Sequence, residues 1–560
     1  GTINLNGKKL KTKDNMLINY GTVSVPANST LQSYKDLYIG TNGTVTSSGE
    51  GNVISVKNNL KIYGSLKAPS GGDDRFFVRG GFNIFSGGIF DHSNGTVTLN
   101  TRYGNKNNKP TATIKIEDGP GNNRNFYNLK KNANKNIYLG TDIQIENNLS
   151  LIGNGYIYAQ DLGGTNHNIT IGGDWYQNKN TSFVALSGKV IFNGSSAQTI
   201  NSRSSFYNLQ ISNSDVSLLR AATASGTLTI DSGAKLDING NNLTAGTLAN
   251  NGNLQLKGSE TLSITTKDTD SGTITYDGTA TVLKYGNNYY NLAINSPSGT
   301  MTLNADVDVN GSLSITDGTL DTGNNDINVA GDWSNSGSFV SGTGKVIFDG
   351  NSNIVTGGTG DSNDFHDVTL SGTVGSQSSA IAIDNDFEIT STGKWYTNCF
   401  AMTVSGDTTE GSGSIETTLA PNVTFSPANS ATGVAVGSNL TLTFNVAVRN
   451  TDNSALTDSN VDSLITLKTT NSSGSDIAFD ATISSDKKVI TINPDSDFSS
   501  LQVVYVAIGN TVENDCGTAL SASSATFTAA DTAGPTTTWS PANSATGVAV
   551  DSNITLTLNE

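Results

Sequence analysis

The side chains of this 560-residue chain that could do chemistry are mostly aspartates, set in Gly- and Asn-rich turns. Asp268-Thr269-Asp270, Asp317-Gly318 with Asp321, and Asp361 with Asp364 offer the carboxylate oxygens that calcium takes. None has the twelve-residue EF-hand spacing or the Gly-Gly-x-Gly-x-Asp nonapeptide of calcium-binding repeats. Ordinary Asx turns produce the same clusters. Calcium is the one cofactor the sequence suggests, with Asp268, Asp270, Asp317, Asp321, Asp361 and Asp364 as its candidate ligands.

Catalysis asks for more. A glycan-cleaving site needs convergent carboxylates, with glycosidase pairs about 5–10 Å apart. Asp73-Asp74-Arg75 and the pair Asp364/Asp367 flanking His366 are the candidates. The first follows Ser70-Gly71-Gly72 and reads as a solvated turn; His366 stands where related segments carry Tyr, and reads as a structural variant. His92, His167 and His366 lie far apart with no ligand neighbour at metal spacing, which excludes zinc chemistry. Cys399 and Cys516 fall in different predicted domains and read as two isolated thiols. Trp175-Tyr176, Trp333 and Trp395-Tyr396 could stack on sugars, but two of the tryptophans occupy equivalent positions, so packing is the better reading. No residue is expected to be catalytic.

The elements that position these residues are short. Thr96-Val97-Thr98-Leu99, Ile143-Gln144-Ile145, Thr227-Leu228-Thr229-Ile230, Val307-Asp308-Val309 and Ser312-Leu313-Ser314-Ile315 alternate with period two and end at Gly, Asn or Asp. Such runs are strands with one buried face, and no window carries a helical period. Glu supplies only 9 of the 48 acidic residues, a bias toward turn-forming Asp that also argues against helix. The fold class is all-β.

An aromatic-led run recurs as Phe126-Tyr127-Asn128-Leu129, Phe206-Tyr207-Asn208-Leu209, Tyr289-Tyr290-Asn291-Leu292 and Phe365-His366-Asp367-Val368, at separations of 80, 83 and 76 residues. Each follows a strand with Gly at one end, such as Gly188-Lys189-Val190-Ile191-Phe192-Asn193 and Gly344-Lys345-Val346-Ile347-Phe348-Asp349. Gly173-Asp174-Trp175 and Gly331-Asp332-Trp333 open two of the units. Three strands per coil of roughly 20–26 residues give an elongated β-solenoid, patterned without linkers from about residue 20 to 415. The landmarks are expected inward or on a coil seam, with Leu209, Leu292 and Val368 at equivalent buried positions. Asn154-Gly155, Asn193-Gly194, Asp277-Gly278, Asn310-Gly311 and Asp349-Gly350 mark the corners. The same dipeptides are a strong hairpin signal, so a string of small antiparallel sandwiches is the competing architecture.

Near residue 420 the Gly density falls and the apolar runs lengthen. Ser426 through Val436 recurs identically as Ser540 through Val550, an offset of 114 residues that suits an immunoglobulin-sized sandwich. The expected organisation is a solenoid repeat region over 1–420, in four units of about 80 residues, an Ig-like β-sandwich over 421–533, and the opening strands of a second over 534–560. Phe425-Ser426-Pro427-Ala428-Asn429, Gly433-Val434-Ala435-Val436 and Leu440-Thr441-Leu442-Thr443-Phe444 resemble the bacterial Ig-like domain of S-layer and other surface proteins. Val503-Val504-Tyr505-Val506 and Ala525-Thr526-Phe527-Thr528 fit the same pattern; Glu513-Asn514-Asp515-Cys516-Gly517 departs from the family's Asp–Gly–Asn turn. The earlier units resemble, more loosely, the Gly-Asp-Trp and Val-x-Phe-x-Gly repeats of large secreted bacterial surface proteins. The resemblance implies an extracellular scaffold or adhesion role and carries no catalytic residues.

A net charge of −16 disfavours nucleic acid and anionic membrane as partners, and no apolar stretch approaches the roughly 20 residues of a membrane span. Two function classes remain. The first is a non-enzymatic structural cell-surface protein, the subunit of a filament, S-layer-like lattice or adhesive fibre, whose partners are further copies of itself and a cell-surface glycan. The second is a secreted β-helix that binds or degrades polysaccharide. Gly1 is not an initiator Met, so a processed chain or a fragment is expected. Residues 535–560 are too few to close a sandwich, so either more protein follows or Asn553–Leu558 completes a sheet in a neighbouring subunit.

Overall fold

The computed structural model describes every residue except 73–74, 100–111, 122, 135, 279–282, 356–362, 391–392, 398, 417–419 and 560. The chain forms two compact units: the first holds residues 1–374, 379–393 and 402–413, the second 375–378, 394–401 and 414–560. The structure is almost wholly β, with one short helical turn, Val461–Leu464, among the described residues.

The first unit is a β-solenoid of about 18 turns. One coil shows its logic. Leu37–Ser47 bends at Gly40–Gly43 to cover two faces, and Val53–Val56 covers the third. Each rung then pairs in parallel with the next: Ile18–Ile39–Ile62–Ile84 on the first face, Val23–Val45–Leu66–Phe90 on the second, Leu31–Ile54–Phe76–Val97 on the third. All of these side chains are buried. Alternation arises because every second side chain points into the shared core while the others reach solvent. The stacking begins earlier than the pattern is legible, with Thr2–Asn4 already paired to Thr22–Ser24.

Parallel pairing of the strands in these described coils excludes the string of antiparallel sandwiches. It also changes the reason for the corner glycines. Gly194 and Gly350 do not serve positive φ; a Cβ on either would lie 2.1 Å from a carbonyl oxygen of the coil beside it (Gly172 and Ala330). Close approach of stacked backbones, not hairpin geometry, demands Gly there.

The four landmarks go inside, as expected. Phe126, Phe206, Tyr289 and Phe365 are buried, each bridged to the next coil at Ile145, Ala224, Val309 and Ile383. Leu129, Leu209, Leu292 and Val368 are buried as well. They do not occupy equivalent positions, however. Leu129 and Leu292 lie on the third face, Leu129 in the column that runs through Leu149, Trp175, Ile200 and Leu218, and Leu292 in the neighbouring one through Val216, Leu236, Leu254, Leu313 and Trp333, whereas Leu209 and Val368 lie on the second face. Some 80 residues do not make a whole number of coils, so successive landmarks fall at different corners. The same face returns only at every second landmark. Trp175 packs edge-on against Phe183 and Phe206 at 5.0 and 5.3 Å, and Trp333 repeats this against Phe339 and Phe365 at 4.8 and 5.2 Å.

One core residue breaks the pattern. Lys131 stacks between Leu99 and Leu151, is 1% exposed, and donates to the Asn154 carbonyl at 2.7 Å. Burial pushes its ammonium down from 10.5 to about 8. The unfolded chain therefore holds this proton more tightly, and stability should rise between pH 8 and 10.5 as the penalty is relieved. Lys131→Met should flatten that rise and, at pH 7, stabilise the solenoid by about 1–3 kcal/mol. Denaturant titrations at pH 7 and 10 check it; an unchanged pH slope in the variant would refute the assignment.

The second unit contains a two-layer sandwich. Val423–Ser426, Leu440–Phe444, Val489–Pro494 and Phe479–Ile483 form one antiparallel sheet. Ala431–Val434, Ser523–Ala529, Val503–Ile508 and Ile465–Thr469 form the other. Leu442, Ile490, Ile492, Val504, Val506 and Phe527 fill the space between. Beyond it, Thr537–Ser540 pairs with Thr555–Leu558 in the register of Val423–Ser426 with Leu440–Phe444, shifted by the same 114 residues.

Candidate functional site

The candidate ligands of the sequence separate in space into local turns. Asp268 accepts from the N–H of Asn250 at 2.6 Å and, through both oxygens, from Ser271. Burial works against its ionisation, but hydrogen bonds from Asp270, Asn250 and Ser271 outweigh this and hold its carboxyl below the ordinary range. Asp270, hydrogen-bonded to Asp268 and facing its charge, is pushed up. Asp317 accepts from the N–H of Gly318, and Asp321 from that of Gly323. Asp364 is buried, and Asp361 lies outside the described residues. Among the described residues no three His, Cys, Asp or Glu side chains are placed to hold a metal together. Of the carboxylates weighed for catalysis, Asp73 and Asp74 also lie outside the described residues, and Asp367 is committed to a bond described below.

That bond belongs to a device the sequence reading missed. Asn and Asp at coil corners reach one coil along and accept a backbone N–H there. Asn128 takes that of Asn148 (3.1 Å), Asn148 that of Asp174 (2.7 Å), and Asp174 that of Thr199 (2.7 Å). Asp306 accepts from Asp326, Asp326 from Lys345, Asp367 from Asp386, and Asp386 from Asp407, at 2.8–3.0 Å. These corners have backbone donors left over where the strand ladder stops, and an Asx oxygen satisfies each one. Asn or Asp recurring just ahead of each strand at coil spacing was the available signal.

The second ladder runs along an acidic surface. One depression of 220 Å³ is lined by Lys345, Asp367, Asp386, Glu388, Asp407 and two threonines. Another of 440 Å³ is lined by Asn287, Asn288, Asp306, Asp308, Asp326 and Asn328. The inner carboxylate oxygens hold the coils together; what faces solvent is a line of negative charge with one lysine.

Two of the three histidines have carboxylate partners. His92 Nε2 lies 2.9 Å from Glu146 and its ring packs on Tyr127. His167 sits between Asp142 and Asp161 at 3.6 and 3.8 Å. Trp175, Trp333 and Trp395 are buried, which removes them as sugar platforms, whereas Tyr176, Tyr207 and Tyr290 stand outside. The thiol reading is overturned: Cys399 and Cys516 form a disulfide within the second unit, with Cα atoms 5.6 Å apart. A sequence separation of 117 residues hid the pair. Next to it, Asn514 caps the turn by accepting from Cys516 and Thr518, and Glu513 pairs with Arg449 at 3.1 Å.

Residues 417–529 match the family described as Bacterial Ig-like domain, a domain that occurs in bacterial surface proteins. No curated protein matches the chain. No helix among the described residues is long and apolar enough to cross a membrane.

Proposed function

We propose that the protein is a non-enzymatic structural component of the bacterial cell surface, a subunit of an extracellular filament, S-layer-like lattice or adhesive fibre. The observation that carries this reading is where the polar side chains go. In a solenoid built to act on a ligand, acids and bases converge on one groove. Here the corner Asn and Asp side chains are spent on bonding coil to coil, so the sequence's most abundant chemistry supports the length of the rod. About 18 turns at a strand spacing of ~4.8 Å give roughly 85 Å of such a rod. The disulfide adds support for an oxidising compartment outside the cytoplasm.

Two measurements test the reading. Incubation with a panel of acidic and neutral polysaccharides should release no reducing ends or unsaturated products; sustained turnover of any of them would replace this reading by the degrading β-helix. Labelled antibody against the sandwich should decorate intact cells, and electron microscopy should resolve the labelled material as fibres or a lattice.

A further inference from the structure

We propose that the basic outer side of the third face, around Lys11, Lys57 and Arg79, docks on the acidic outer side of the second face, around Asp308, Asp349 and Glu388, of a further copy of this chain. The proposal rests on the self-assembly part of the reading above and names its contact.

Charge is sorted along the sequence. Residues 1–135 carry 18 Lys and Arg against 8 Asp and Glu, although the whole chain has 32 against 48. Residues 301–410 carry 15 Asp and Glu against 2 Lys. Folding sharpens the sorting. Lys9–Thr12, Thr30–Ser33, Val53–Val56, Phe76–Val78 and Thr96–Leu99 stack on the third face without one Asp or Glu among them. Just past these strands Tyr34, Lys57 and Arg79 continue the ladder, each donating its N–H to the coil before. Lys57 thus stands one coil from Arg79, with Lys11 two coils away on the other side. Among the described residues none of these three cations has an ion-pair partner. Burial, and then the charges of Arg79 and Lys11, push the Lys57 ammonium down. Like charges on neighbouring rungs destabilise a sheet, so the patch is unfavourable for the solenoid on its own.

The acidic side has the same construction. Asp308, Ile347 and Glu388 share one outward column at alternate coils. Asp349 lies beside them, pushed up by burial and then by the charge of Asp308. Lys57 and Arg79, like the three acids, have coils on both sides of them along the stack, so each patch is a flank of the solenoid and not an end.

The occupant follows from the two flanks together. Copies of a chain with net charge −16 repel over most of their surface, so electrostatics favours a contact that sets the basic region against an acidic one. Rungs repeat at ~4.8 Å on both flanks, so rows of cations and carboxylates match when two solenoids lie side by side. The flanks belong to different faces and different levels of the stack. One contact therefore leaves a basic flank free on one copy and an acidic flank free on the other, and further copies add without closure.

Sedimentation velocity of the full 560-residue chain should show polymers that grow with concentration at about 0.02 M salt and disperse at about 0.5 M, where exposed charges are screened. Lys57→Glu with Arg79→Glu, and separately Asp349→Lys with Glu388→Lys, should each weaken assembly about tenfold or more, because like charges then face each other. Far-ultraviolet circular dichroism should stay unchanged in both. Mixing the two double variants should restore assembly, since the acids intact in one meet the cations intact in the other. A chain monomeric at low salt, assembly indifferent to either double variant, or no restoration on mixing would each overturn the proposal. So would alginate binding by a monomeric chain that Lys57→Glu with Arg79→Glu abolishes, which would give the basic flank to an acidic polysaccharide. Fibres or a lattice seen on cells alongside any of these would leave self-assembly standing and assign it to another surface.

Discussion

Replacing Cys399 or Cys516 by Ser is expected to lower the stability of the second unit by about 4–5 kcal/mol, the largest loss a single conservative substitution should cause here. The bond closes a loop spanning 117 residues of sequence, so cutting it releases an unusually large unfolded ensemble. Both cysteines lie in one compact unit, which is why the whole effect should appear in that unit's transition and leave the solenoid's untouched. Because either substitution removes the same bond, the double variant should cost no more than each single one, a non-additivity that separates loss of the cross-link from two independent packing defects. Denaturant unfolding with and without reductant reads this out. Thiol titration of the denatured native protein should find no free thiol. Two free thiols, or transitions that ignore the reductant, would remove the disulfide from the account.

Much of the architecture was legible because it rests on local periodicity. Thr227, Leu228, Thr229 and Ile230 alternate in sequence and alternate in burial, and Val307–Val309 was placed to the residue. Composition also exposed the second sandwich opening, since an eleven-residue identity leaves little doubt about register. What sequence spacing could not reveal was phase. Phe126 and Phe206 look like one repeat apart, yet they sit at different corners because the coils between them vary in length: Leu129 lies 20 residues below Leu149, whereas Leu149 lies 26 below Trp175. Corner loops absorb insertions without disturbing the rungs, so a landmark interval counts residues and not thirds of a turn.

The candidate sites were harder, for a different physical reason. An Asp in a Gly-rich turn has the same local appearance whether it caps its own turn, as Asp317 does, or bonds a neighbouring coil, as Asp386 does. Only the stacking decides, and stacking is non-local. The disulfide was invisible on the same ground. Lys131 was missed because a lysine in an alternating strand reads as an outward residue, and its strand places it at an inward position between two leucines.

Gly318→Ala is expected to cost about 3–5 kcal/mol, against about 1 kcal/mol for Gly233→Ala. The comparison isolates stacking from backbone conformation. Both glycines have positive φ, 82° and 75°, so each alanine suffers the left-handed penalty of an L-residue. At Gly233 a new Cβ meets nothing within 4 Å, and that penalty is all. At Gly318 it would lie 2.1 Å from the Ser296 carbonyl oxygen and 2.8 Å from that of Gly299. Both atoms belong to Asn291–Thr302, and the pairs Asn295–Asp317 and Thr300–Thr319 on either side of them hold that strand against Leu313–Asp321, which carries Gly318. Relief requires the two coils to part, and parting them breaks rungs on either side. In a stack whose coils touch only their neighbours, the damage should stay local. Hydrogen exchange should therefore accelerate in peptides spanning 291–340 in Gly318→Ala while the first hundred residues keep their protection, and Gly233→Ala should leave both unchanged. Equal costs for the two substitutions would mean that the corners tolerate a methyl group, and that glycine is there for φ alone.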